Sequence, residues 1–209
     1  PKLASIDVAS DPRPAWIADG IAATVTVQAV ATELLEHEPW DFAAVRYHLL
    51  EPLSQAFMRY RAPAVDGVSA LDADRYGGVV DAGCRMLDGM LGALLDVAGP
   101  DTTVILVSDH GFRSGTDRPA GTGERVGPAA WHAMCGVLVV SGPGVRADQL
   151  IHGAGLLDIA PTVLGLLGLP AGADMPGRML AEAFHSPPAV GRIPSWEAVE
   201  GESGRHPAE

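Results

Sequence analysis

Cysteine is scarce: Cys84 and Cys135 are the two thiols in 209 residues, and no Cys-x-x-Cys pair occurs. That excludes a disulfide scaffold and a thiolate metal knuckle. Both fall in predicted helix or strand and read as buried thiols. Basic side chains are few, 14 Lys and Arg against 26 Asp and Glu, for a net charge of −12. A surface this acidic repels a phosphate backbone, so nucleic-acid binding is disfavoured. Small phosphate esters bound through a metal are not excluded, because the ion supplies local positive charge. Long hydrophobic runs are missing as well. No apolar run approaches the ~18–20 residues of a membrane span, and the stretch 78–98 is broken by Asp81, Arg85 and Asp88. No secretory signal is visible, which favours the cytoplasm, although a chain that begins without methionine is compatible with a longer precursor. No internal repeat occurs.

What is present suits one domain or a large piece of one, with 47% apolar residues to build a core. Residues 16–38 carry apolar side chains at helical spacing, and residues 41–50 read as a strand halted by Pro52. A short helix is expected over 53–60 and a polar connection over 61–75. A helix over 76–97 follows, stopped by Gly99 and Pro100. Strands are expected at 103–107 and 136–140, with a long glycine-rich loop from Gly111 to Ala130 between them. A closing helix covers 158–168, its start capped by Asp158 with Pro161 tolerated in the first turn. Prolines then scatter through 186–209, which reads as a tail. The expected domain is therefore 1–185, an α/β sheet flanked by helices.

The run Val104-Ile105-Leu106-Val107-Ser108-Asp109-His110-Gly111-Phe112 carries the most information. Four apolar residues predict a buried parallel strand. It ends on a carboxylate, an imidazole and a glycine, where ligands sit in open α/β sheets. Adjacent Asp109 and His110 would face opposite ways on a continuing strand. A sharp turn at Gly111 is expected to bring both toward one centre. Carboxylate oxygen with imidazole nitrogen is zinc-type ligation; a helix cap at Ser108 or Asp109 followed by a turn is the other reading. Trp131, beside His132, reads equally as pocket lining or core.

Ser108-Asp109-His110-Gly111-Phe112 after an apolar strand resembles the alkaline phosphatase superfamily, and looks most like its type I phosphodiesterase/nucleotide pyrophosphatase branch. Two further landmarks follow in order. One runs from Trp131-His132 through Cys135-Gly136 to Gly142-Pro143-Gly144, and the other runs from Asp158 through Pro170 to Asp174-Met175-Pro176-Gly177-Arg178. The resemblance spans about Asp41 to Leu180. It implies a mostly parallel sheet flanked by helices, here without the first part of the family fold. It also implies a metal-dependent hydrolase of phosphate esters with two zinc positions. Asp109 and His110 match one ligand pair, and His132 matches the late histidine. Glu51 stands where an aspartate ligand is expected and Gln55 where a histidine is, and Gln55 offers only a neutral amide.

The family's threonine or serine nucleophile has no counterpart in residues 1–40, and without one the covalent route is closed. No catalytic residue is therefore assigned. Two function classes stay open. The first is a phosphodiesterase/nucleotide pyrophosphatase-like hydrolase domain, with a small phosphate ester as substrate and inactive as this chain alone. The second is a noncatalytic α/β binding or structural module that has lost its bimetal centre. An exposed sheet edge would favour self-association, or a longer parent chain would complete the sheet.

Overall fold

Prolines at positions 12 and 14 open the first long helix, α1 (Arg13–His37), where missing N–H groups are tolerated. This computed structural model describes residues 7, 9–119 and 127–200. The middle of the glycine-rich loop and the tail beyond residue 200 lie outside them. The remaining helices are α2 (Leu50–Phe57), α3 (Ala70–Tyr76), α4 (Val79–Ala98) and α5 (Ile159–Leu166). The strands are β1 (Val104–Ser108), β2 (Gly111–Phe112), β3 (His132–Ala133), β4 (Val137–Ser141), β5 (Ala171–Gly172) and β6 (Arg192–Ile193).

The chain divides into two compact units, Pro1–Asp101 with Val107–Leu138, and Thr102–Leu106 with Val139–Glu209. In the first unit, Ile17 of α1, Leu53 and Phe57 of α2, Tyr76, Val80 of α4, and Trp131 are buried together. α2 begins at Leu50 rather than after Pro52, because Pro52 occupies the first turn, where no N–H is needed. α3 was not expected within 61–75. Its signal is Ser69, whose hydroxyl accepts from the Asp72 N–H at 3.0 Å.

Three expectations about strands and burial are corrected. Residues 41–48 form no strand, because among the described residues nothing pairs with them. Side chains hold this stretch instead, with the Tyr47 hydroxyl donating to Gln28 of α1 and Leu49 buried. β1 is neither fully buried nor parallel. It pairs with β4, Gly136 lies against Ser108, and Gly142 against Thr102 and Thr103, so the two strands run antiparallel. With two strands in that sheet, Leu106, Val107, Val137 and Val139 are left exposed. Cys84 and Cys135 are likewise exposed rather than buried.

Described this way, the architecture is mixed helix and strand built on small two-stranded sheets. β2–β3 is antiparallel and β5–β6 parallel. α1 also qualifies the reading of the hydrophobic runs. By length and composition it is long and apolar enough to cross a membrane, which corrects the expectation that no stretch approaches that length.

The second unit is organised around Asp158 and Thr162. The Asp158 carboxylate does not cap α5. It accepts from the Gly155 N–H at 2.9 Å and the Arg178 N–H at 2.8 Å. Those bonds, that from Arg178 first, outweigh burial and hold its pKa below the ordinary value. Thr162 is fully buried. Its hydroxyl donates to the Asp158 carbonyl at 2.7 Å and accepts from the Leu180 N–H at 3.0 Å. In the tail, the Trp196 indole donates to the Pro170 carbonyl at 2.9 Å.

Candidate metal centre

The centre lies within the first unit, where the end of β1, the β2–β3 hairpin and the first turn of α2 meet. β2 and β3 pair in register, Gly111 opposite Ala133 and Phe112 opposite His132. That pairing carries His110, next to β2, onto His132 of β3. The imidazoles stack with centroids 3.7 Å apart and planes 13° from parallel. Phe112 stands edge-on to both, at 5.3 Å from His110 and 5.2 Å from His132. Its ring packs against the buried core, which fixes the pair from one side.

Gly111 has a different role from the one its turn propensity suggests. A Cβ there would lie 2.7 Å from the Cys135 carbonyl oxygen, so glycine permits the close approach of the two strands. One backbone and one side-chain bond reinforce the hairpin. The Arg113 N–H donates to the Trp131 carbonyl at 2.8 Å, and the Ser108 hydroxyl donates to the His110 carbonyl at 2.7 Å. Trp131 itself is buried in the core, which decides between its two readings.

Glu51 comes from α2. Leu53, Ser54 and Phe57 of this helix are buried, while Glu51 and Gln55, four residues apart, share a half-buried face. One ligand atom from each of Glu51, His110 and His132 can be chosen so that all lie within 4.8 Å of one another. That is a carboxylate oxygen and two imidazole nitrogens, a donor set that suits a divalent ion and leaves coordination positions open.

Asp109 does not join them. Its side chain is 68% exposed against 21% for His110, and its Oδ1 lies 3.9 Å from His110 Nε2. The strand alternation persists through the pair, and no turn at Gly111 reverses it. Gln55 does reach the cluster. Its Nε2 donates to Glu51 Oε1 at 3.2 Å and lies 3.4 Å from His132 Nε2. His48 is exposed and takes no part in it.

Comparison with known proteins agrees with the broad resemblance. Over 127 residues the chain is 35% identical to the 2,3-bisphosphoglycerate-independent phosphoglycerate mutases of Prochlorococcus marinus strains MIT 9313 and MIT 9303. The match covers 56% of this chain and 22% of each relative. The enzyme of the same name from Chloroflexus aurantiacus is 34% identical over 101 residues, 48% of this chain and 18% of the relative. The chain thus spans about a fifth of the length of these relatives. They are phosphoryl-transfer enzymes of the alkaline phosphatase superfamily. The resemblance therefore holds at superfamily level, whereas the phosphodiesterase/nucleotide pyrophosphatase branch gains no support from them. No family model and no solved structure matches this chain.

Proposed function

We propose that this chain carries part of a metal-dependent phosphoryl-transfer domain, with Glu51, His110 and His132 as cation ligands and a small phosphate ester as substrate. The convergence of these three side chains, far apart in sequence and within 4.8 Å in space, carries the reading. Taken by themselves, two imidazoles and one carboxylate suit zinc. A divalent cation there would polarise a phosphoryl oxygen as a Lewis acid. Phe112 and the β2–β3 ladder hold the two imidazoles in place, so the donor set is organised before any ligand arrives. The Gly111 carbonyl, 3.1 Å from His110 Nδ1, orients that ring from outside the donor set. The finer assignment, hydrolysis of phosphodiesters or nucleotide pyrophosphates, is the variant of this chemistry that the motif order suggests. Completion of the reaction needs a nucleophile from outside residues 1–40, in a longer parent chain or a partner.

A noncatalytic module on the same fold is the second reading, and one observation favours it. The Gln55 amide already bonds to Glu51 and faces His132, so two of the three donors have a polar partner without a cation. Metal content separates the two. Protein purified without chelator or polyhistidine tag is challenged with zinc or manganese and measured by plasma mass spectrometry. We expect close to one cation per chain, lost in His110→Ala and His132→Ala. Folded protein that takes up neither cation would remove the catalytic reading and leave the module.

A further inference from the structure

Glu51 and His132 are bridged by a side chain outside the donor set. One Gln55 carboxamide nitrogen lies 3.2 Å from Glu51 Oε1 and 3.4 Å from His132 Nε2. Glu51 Oε1 presents a lone pair, as does His132 Nε2 in the tautomer with its proton on Nδ1, and an amide N–H is the group that satisfies a lone pair. A cation would need those same lone pairs. The carboxamide also carries an oxygen, and its terminal torsion is broad and roughly two-fold. Rotation about that torsion exchanges a donor for an acceptor with almost no change in shape.

We propose that Gln55 is the selectivity residue of this centre, its amide N–H groups holding Glu51 and His132 in the absence of a cation and its oxygen turning inward as a further ligand when one enters. The proposal rests on the metal-centre reading above and adds which cation the centre prefers. An amide oxygen is neutral and hard, and suits manganese or magnesium better than an imidazole would, whereas imidazole suits zinc. Glutamine at this position therefore shifts the Glu51–His110–His132 set away from zinc and toward harder cations.

The test is calorimetric titration of the full chain with zinc chloride and, separately, manganese chloride. It compares the unaltered chain with Gln55→His, Gln55→Met and Gln55→Glu, each checked for folding by circular dichroism. Gln55→His should tighten zinc binding about tenfold or more, with a smaller change for manganese. Gln55→Met, which removes the oxygen, should weaken manganese binding by a similar factor of ~10. Gln55→Glu keeps the size and the oxygen and should tighten manganese. The visible spectrum of the cobalt-loaded chain should also change between glutamine and histidine. Unchanged affinities for both cations in all three variants, with an unchanged cobalt spectrum, would overturn the assignment of Gln55 while leaving the centre intact. An unaltered chain that takes up neither cation would overturn the centre itself, a result seen before any substitution is made.

Discussion

Asp11 shows how much a single buried charge depends on its partners. The residue is 7% exposed. It accepts from the Arg13 guanidinium at 2.8 Å through Nε and NH2, from the Arg13 N–H at 3.1 Å, and from the Tyr76 hydroxyl. Arg13 goes on to donate to Tyr60 and Asp72 and lies 4.2 Å above the Tyr76 ring. The Arg13 hydrogen bonds, the largest cause, outweigh the cost of burial and hold the Asp11 carboxyl well below the ordinary 3.8. A carboxyl lowered in the folded state stabilises fully above its unfolded pKa. That contribution is lost as pH falls from there through the folded pKa. Asp11→Asn should therefore cost about 1–3 kcal/mol near neutrality. It should also flatten the decline in stability below about pH 4. Chemical denaturation of both chains across pH 2–7 checks this, and parallel pH profiles would contradict it.

At the scale of elements, close backbone approaches decide which strands pair. A Cβ at Gly136 would stand 1.9 Å from the Ser108 carbonyl oxygen, a clash with backbone rather than with a yielding side chain. Gly136→Ala should therefore push β4 away from β1. The β2–β3 hairpin, which begins three residues after Ser108, should be disturbed with it. The expected outcome is faster amide exchange at Leu106 and Val139 together with weaker uptake of zinc or manganese. Exchange at these amides that matches the unaltered chain would show that the ladder tolerates the methyl group.

For the whole molecule, charge and exposed apolar surface oppose each other. Trp16, Val25, Val30 and Leu34 of α1 are exposed, as are Leu150, Leu156 and Leu157 in the second unit. Exposed apolar side chains in such numbers favour association, while a net charge of −12 keeps copies apart. Salt screens the repulsion and leaves the apolar term in place. Sedimentation velocity should thus show a weight-average coefficient that rises with protein concentration, and more steeply at higher salt. A coefficient independent of both would mean that the exposed side chains are too dispersed to act together.

Much of this was legible along the chain. Helical spacing and the Gly99-Pro100 stop located α1 and α4 to within a few residues. The apolar run before Asp109 marked β1, donor chemistry at its end pointed to His110, and only the family resemblance pointed to His132 and Glu51. These signals are local: side-chain period, backbone stops and donor chemistry are written in neighbouring residues. Tertiary structure decided the rest. Strand alternation directs His110 toward His132 and leaves Asp109 mostly in solvent. The partner of β1 is antiparallel β4, and residues 41–48 find no partner among the described residues. Trp131 joined the core, and Gln55 came within reach of both Glu51 and His132. Pairing and convergence are relations between segments distant in sequence, so no local pattern encodes them. They are set by which surfaces pack together and which lone pairs then need a partner.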